Sequence, residues 1–354
     1  MKALITAGGH GTRLRPITHT QNKHLIPIAN KPILNYALEY VSEAGIKEVG
    51  IITNREGEEV KEAYGDGTSF GVKITYIPQE APLGLAHCVK IAEDFIGNEP
   101  FVFYLGDNII VGGIKRFIDK FYEKKTNCHL VLAKVKDPER FGVPEIKGGR
   151  IVRVEEKPKK PKSSYAVTGI YIYDKHIFEA VNAIKPSARG ELEISDAHQY
   201  LIDHGYKVTY SEITGWWKDT GKPEDLLEAN RLVLDNIKAE INGRVDSNSK
   251  IVGRVVIEEG AEIINSNIRG PVIIGKGTKI VESYIGPYTS IYNDCLIEHS
   301  EIEFSIILER CIVRNQNIRI EGSLLGKDVR IIKSNEKPFV NRFLVGDQSI
   351  VEVR

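Results

Sequence analysis

The sequence predicts an α/β fold, a doubly wound, mixed but mostly parallel sheet, followed by a left-handed parallel β-helix. Three observations predict it. From Ala3 to Ile237, short apolar runs alternate with stretches whose apolar residues recur at helical spacing, the pattern of strands covered by helices on both faces. From about residue 243 that periodicity stops, and aliphatic residues recur about every six positions, as in a solenoid whose triangular coils are filled by branched side chains. The length, 354 residues, is long for one hydrophobic core. The expected domains are residues 1–240 and 241–354.

Composition narrows the function classes. Hydrophobic residues make up 42% and charged residues 27%, the balance of a soluble globular protein. Lysine and arginine equal aspartate and glutamate at 48 each, so no net field argues for a nucleic-acid or membrane partner. No apolar run approaches the ~20 residues of a membrane span. A strand begins at Ala3, which leaves no room for a signal peptide, and a cytoplasmic location is expected. Cys88, Cys128, Cys295 and Cys311 are scattered without metal-site or disulfide spacing.

The first strand, Ala3–Ala7, runs into Gly8-Gly9-His10-Gly11-Thr12-Arg13. Glycines let the chain turn sharply and leave N–H groups uncovered, as a polyphosphate held by the main chain requires. Arg13, Arg15 and Lys23 place forked or mobile positive charge nearby. A plain glycine turn beside a solvated basic face fits the same residues. Neither the dinucleotide fingerprint G-x-G-x-x-G nor the Walker A pattern fits.

Ile33–Gly45 follows as a helix closed by glycine, then Glu48–Asn54 as a strand and Glu58–Gly67 as a short helix. Val72–Gln79 is a third strand, Val89–Gly97 a helix and Pro100–Asn108 a fourth strand. In such sheets ligands sit beyond the C-terminal strand ends, which brings the glycine loop, Gln79 and Asp107 around one crevice. Asp107 suits either a helix-capping loop acid or a Mg²⁺ ligand, since magnesium takes one or two carboxylates together with phosphate oxygens. Gln79, with the turn through Gly84, could read a base edge.

Strands are expected at Cys128–Val135, Arg150–Pro158 and Tyr165–Asp174, with Phe141-Gly142-Val-Pro144 between the first two. Glu155-Glu156-Lys157 ends the second of them. Such a trio forms edge ion pairs, and equally supplies a carboxylate for sugar hydroxyls and an ammonium for a phosphate. Helix Glu193–Gly205, strand Lys207–Ile213, the acid Asp219 after Trp216-Trp217 and helix Pro223–Ile237 complete this half.

Longer motifs now add a family. Gly8-Gly-His-Gly-Thr-Arg-Leu-Arg-Pro-Ile-Thr18 followed by Lys23-His-Leu-Ile-Pro-Ile-Ala-Asn-Lys-Pro32 resembles the opening of the sugar-1-phosphate nucleotidylyltransferases. Pro78–Ala86, Leu105–Asn108, Glu155–Pro158, Lys162–Tyr171, Arg189–Asp196 and Trp217–Gly221 follow in family order. Residues 1–237 are thus similar to glucose-1-phosphate thymidylyltransferases, whose fold is Rossmann-like.

The resemblance implies that Gly8, Gly9, Gly11, Thr12 and Arg13 hold a triphosphate, with Lys23 near the reacting phosphates. It implies that Gln79 and Gly84 pair with the base, and that Asp107, also counted with the nucleotide site, shares Mg²⁺ with Asp219. Gly142, Glu156 and Val167 would meet the hexose and Lys157 its phosphate; Arg13, Lys23 and Lys157 would be the catalytic cations. The substrates implied are dTTP, or UTP, and glucose 1-phosphate. Phe141 departs from the family's usual tyrosine, which removes a hydroxyl contact.

The repeat places Ile251, Ile257, Ile263, Ile268, Ile274, Ile280, Ile285, Ile291, Leu296, Ile302, Ile307, Ile312 and Ile318 inside the coils. A C-terminal coil of this kind resembles the longer form of the family. Similar coils serve acyltransferases, for which His299 could act as a base. A uridylyltransferase, another sugar-1-phosphate nucleotidylyltransferase, a bifunctional nucleotidyl- and acetyltransferase and a non-catalytic regulatory subunit are the alternative readings. Pro338–Arg354 is expected to cap the coil, and a homo-oligomer is expected.

Overall fold

The computed structural model describes residues 1–54, 57–333, 337 and 341–352. The chain forms two compact units. The first comprises Met1–His10, Asn22–Leu25 and Ile33–Asp219; the second comprises Gly11–Gln21, Ile26–Pro32 and Thr220–Arg354.

The first unit is built on a seven-stranded sheet. Its elements in chain order are β1 (Lys2–Thr6), α1 (Ile33–Glu43), β2 (Glu48–Thr53), α2 (Glu58–Tyr64), β3 (Lys73–Pro78), α3 (Leu85–Ile91) and β4 (Phe101–Leu105). There follow β5 (Asn108–Ile110), α4 (Lys115–Lys124), β6 (Cys128–Lys134), β7 (Gly142–Lys147), β8 (Arg150–Glu156) and β9 (Tyr165–Tyr173). Helices α5 (Ile177–Ala183) and α6 (Ile194–Asp203) and strands β10 (Val208–Glu212) and β11 (Trp217–Asp219) finish it. The sheet order is β10-β6-β9-β4-β1-β2-β3. All neighbours are parallel except β9, which runs antiparallel to both β4 and β6.

The near-continuous apolar strands are explained by burial on both faces. Ala3 and Ile5 of β1 point into a core shared with α1, whereas Leu4 points into one shared with α3 and α6. Helix α1 buries Leu34, Ala37, Leu38 and Val41, the apolar positions its spacing marks. Each fully buried Leu or Val among them contributes roughly 1.5–3 kcal/mol. Helices α4 and α5 and strands β5 and β7 go beyond the elements expected from sequence. Strands β5 and β7 are short, or interrupted by Pro144, and carry too few residues for a period to show. The helix expected at Val89–Gly97 starts earlier, at Leu85, directly after Gly84, and breaks at Ala92.

The second unit carries α7 (Pro223–Leu234) and a left-handed parallel β-helix with three faces of six, six and five strands. Its strands begin at Glu240. The middle coils take 17 residues, which is why a six-residue spacing slips to five; a later step takes 16 and the last take 18. Ile297 stacks on Ile280 at the regular 17 residues, and Val313 stacks on Ile297 at 16. Ile297 and Val313 fill the interior in place of the expected Leu296 and Ile312, and Ile318 is 63% exposed. Serines line one corner: each of Ser266, Ser283 and Ser300 takes a hydrogen bond on its hydroxyl from the backbone N–H of the next coil.

Residues Ile26–Pro32 belong to this unit through specific polar contacts. The Ala29 N–H donates to Asn230 Oδ1 on α7 at 2.8 Å, and Asn230 Nδ2 donates to the Tyr288 carbonyl at 3.1 Å. The expected cap does not form: residues 341–352 carry no strand, and Leu344 and Ile350 are almost fully exposed. The rest of that stretch, 338–340 and 353–354, lies outside the described residues. No helix among the described residues is long and apolar enough to cross a membrane.

Candidate active site

The first strand ends at Thr6, and the chain then passes over its neighbour. A Cβ on Gly9 would lie 2.8 Å from Lys23 Cε, so the glycine loop runs across the lysine's stem. Lys23 forms an ion pair with Asp107 Oδ2, and both side chains are largely buried, at 15% and 14% exposed. The other carboxylate oxygen, Oδ1, accepts from Asn108 Nδ2 at 2.9 Å. Burial alone would raise the Asp107 pKa. The Lys23 ammonium, supported by these hydrogen bonds, outweighs it and holds the carboxyl down at about 2. The adjacent His24 is pushed down to about 3 by its burial and by Lys23, and so stays neutral.

Asp219 comes to this place through an antiparallel pair. Strands β5 and β11 align Asp219 with Asn108, one residue from Asp107. Two carboxylates, one directly before β5 and one at the end of β11, fit a hard divalent cation that completes its shell with water and phosphate oxygens. Among the described residues no three His, Cys, Asp or Glu side chains gather to hold a metal by themselves.

Asn108 organises this centre and is only 1% exposed. Its Oδ1 accepts from Trp217 Nε1 at 2.6 Å and from the Gly169 N–H at 3.2 Å. The register of β9 against β6 is irregular between Val167 and Tyr171, and Gly169 lies in this interval, its N–H turned to Asn108. Phe141 packs edge-on against Trp217 with ring centroids 5.4 Å apart.

A second group gathers Gly142, Glu156 and Val167. A Cβ on Gly142 would sit 2.7 Å from Ser195 Oγ, 3.5 Å from Glu156 Oε2 and 3.8 Å from Val167 Cβ, so only glycine fits. Ser195 Oγ donates to Glu156 Oε2 at 2.7 Å. Glu156 Oε1 faces two cations, Lys157 Nζ and an Arg189 guanidinium nitrogen, each at 3.7 Å. Lys157 adopts a left-handed backbone, φ 44°, which is uncommon for a side chain of this size and aims it away from the strand line. Glu156, Lys157 and Arg189 border a cleft of about 840 Å³ lined also by Glu193 and Asp196. Arg189 is itself held by Glu193, through contacts at 2.8 Å to both carboxylate oxygens.

A third place is the turn after β3. The Gln79 N–H donates to the Thr53 carbonyl at 2.8 Å, and Gln79 Nε2 lies 3.3 Å from the Gly84 carbonyl. Gly84 has φ 98°, and a Cβ there would lie 2.4 Å from the Leu192 carbonyl oxygen. Gly11, Thr12 and Arg13 belong to the second unit. Gly11 is left-handed at φ 59° and opens the single turn Thr12–Leu14; its carbonyl accepts from Thr18 Oγ1 at 2.7 Å, and Arg13 is exposed. His299 stands on an outer corner of the coil with Nδ1 3.2 Å from Glu282.

The structure thus draws Lys23, Asp107 and Asp219 together, and Gly142, Glu156, Lys157 and Val167 together. Sequence alone gives Asn108, Ser195 and Arg189 no role at the site. Asn108 follows the strand-end acid directly, which is a usable signal. Ser195 and Arg189 lie inside the stretch Arg189–Asp196, where the pattern is visible but no role follows from it.

Residues 2–236 match the family model described as nucleotidyl transferase. The chain is 50% identical over 356 residues to a glucose-1-phosphate thymidylyltransferase from Streptomyces antibioticus, covering 100% of both. It is 49% identical over 354 residues to the enzyme of the same name from Streptomyces griseus, covering 100% of this chain and 99% of that one. Among solved structures, one from Bacillus anthracis, assigned as a glucose-1-phosphate thymidylyltransferase and crystallised with a sucrose, superposes with a TM-score of 0.64 at 43% identity. That match covers 68% of this chain and 98% of the other.

Proposed function

The chain belongs to the nucleotidyl transferase family, and on that premise we propose that it transfers a thymidylyl group from dTTP to glucose 1-phosphate, giving dTDP-glucose and pyrophosphate. The observation that carries the reading is the Lys23–Asp107 pair with Asp219 brought beside it by the β5–β11 ladder. A positive charge held against strand-end carboxylates is what a site for reacting phosphates needs.

In the proposed reaction a phosphate oxygen of glucose 1-phosphate attacks the α-phosphorus of dTTP in line, and the bond to the β-phosphate oxygen breaks. A phosphate monoester is already ionised near neutral pH, so the chain need supply no base. Its task is to hold two anions together against their repulsion. Gly142, Glu156 and Val167 would take the hexose, with Ser195 keeping the Glu156 carboxylate aimed at sugar hydroxyls. Lys157 and Arg189 would take its phosphate. Gly8, Gly9, Gly11, Thr12 and Arg13, continuous in sequence, would cradle the triphosphate, and Gln79 and Gly84 would meet the base. Asp107 and Asp219 would hold Mg²⁺, which when bound neutralises phosphate charge.

In this proposal residues 1–240 carry the chemistry, and residues 241–354 serve assembly in a homo-oligomer. The proposed setting is the cytoplasm, without nucleic-acid or membrane partners. Pyrophosphate release measured over a grid of nucleoside triphosphates and sugar 1-phosphates tests the reading. The highest kcat/KM should fall on dTTP with glucose 1-phosphate. Release with no thymidine or uridine triphosphate would overturn it.

A further inference from the structure

We propose that His87 is a positioning residue that locks the Gln79 amide in the one orientation able to accept a hydrogen bond from the N3–H of a pyrimidine, so that thymine or uracil is taken and cytosine refused. This rests on the reading above, in which Gln79 meets the base.

Gln79 Nε2 lies 3.3 Å from the Gly84 carbonyl oxygen and 3.0 Å from His87 Nδ1. A carbonyl only accepts, so the atom facing Gly84 has to be the nitrogen; the flipped amide would set two oxygens against each other. The remaining N–H then points at His87 Nδ1, which must present its lone pair. His87 is therefore the neutral tautomer with its proton on Nε2. Partial burial and the charge of Lys90 both push its pKa down, in the direction that keeps it so.

The acceptors themselves are well fixed. Gly84 is the N-cap of α3, its carbonyl also accepts from the Cys88 N–H at 3.4 Å, and its neighbours are tied to Leu192 by bonds at 2.8 and 3.1 Å. His87 rides on α3. With both N–H groups engaged inside the protein, Oε1 is the atom left to face a ligand, and it is an acceptor only. Thymine and uracil carry a donor at N3, whereas cytosine carries a lone pair there, which would confront Oε1 as acceptor against acceptor. Without the His87 lone pair, only the long 3.3 Å contact to Gly84 and a contact with the Cys88 thiol orient the amide, and it can turn its nitrogen to the base.

The test compares wild type, His87→Leu and His87→Asn, with dTTP and dCTP as probes and glucose 1-phosphate in excess. Asparagine can return an acceptor near the Nδ1 position; leucine cannot. His87→Leu should cut the ratio of kcat/KM for dTTP over dCTP about tenfold, the loss of one oriented hydrogen bond, with KM for glucose 1-phosphate unchanged. His87→Asn should recover most of it. His87→Ala repeats the comparison should the leucine variant lose its thermal transition. An unchanged ratio in an active, folded His87→Leu protein overturns the role of His87 alone, as does equal behaviour of the leucine and asparagine variants. A wild-type chain that releases no pyrophosphate from any pyrimidine triphosphate overturns the nucleotidyl-transfer reading, and this inference with it.

Discussion

Ser195 Oγ donates to Glu156 Oε2 at 2.7 Å, joining residues 39 positions apart at the point where Gly142 leaves no room for a side chain. The serine is 1% exposed, so its hydroxyl has little water to turn to. It holds one carboxylate oxygen, while the other, Oε1, faces Lys157 and Arg189, which line the cleft together with Glu156.

Ser195→Ala should therefore loosen Glu156 without touching the nucleotide side. The KM for glucose 1-phosphate should rise about tenfold or more, the worth of one partly buried hydrogen bond to a charged group. The KM for dTTP should stay put. Steady-state kinetics with each substrate varied in turn reads the difference, and an equal rise in both would contradict the assignment.

Arg13→Ala and Asp107→Ala should each lower turnover by roughly two orders of magnitude or more, as for removal of an electrostatic stabiliser of the transition state. Asp107→Ala should also lower the melting temperature, because it strips the partner from Lys23, whose side chain is 15% exposed. Arg13 is exposed, and its loss should leave melting unchanged. Near-wild-type pyrophosphate release from either variant would remove that residue from the mechanism.

Stability should fall on acidification through a group outside the site. His198 is fully buried, its Nε2 is 2.6 Å from Tyr173 Oη, and burial depresses its pKa to about 3. The unfolded chain takes up this proton near pH 6.5, the folded one only near 3. Its neutral form is thus fully accommodated above about 6.5, and stability is lost between there and about 3, by about 1.4 kcal/mol per pH unit at most. Denaturant unfolding of wild type and His198→Phe between pH 7 and 4 should give a shallower slope for the variant. Parallel slopes would show that this histidine contributes nothing to acid sensitivity.

The shift of register in the coil predicts an asymmetry between two isoleucines. Ile297 is fully buried, and Ile297→Ala should cost about 2–5 kcal/mol. Ile318 is 63% exposed, and Ile318→Ala should change stability by less than about 0.5 kcal/mol. Comparable losses from both in denaturant melts would place Ile318 back inside.

Much of this protein was determined by sequence alone, because the signals are local. Strand–helix alternation and the six-residue repeat follow from which side chains must avoid water, and both survive in the structure. The rule that ligands sit beyond strand ends selected Gln79 and Asp107, and family motifs added Gly142, Glu156, Lys157 and Val167, of which Gly142, Glu156 and Val167 lie close together beside Ser195 in the folded chain.

What only tertiary structure decided are relations between distant residues. Asn108 joins Trp217, Gly169 and Asp107; His87 and Gly84 settle which way the Gln79 amide points; Arg189 reaches Glu156 while anchored by Glu193. No period or spacing encodes these, since a buried hydrogen bond needs a partner in space and is indifferent to how far off it lies in the chain. The register of the coil is of the same kind: a one-residue difference is invisible among aliphatic neighbours until stacking on Ile280 chooses which of two, Leu296 or Ile297, turns inward.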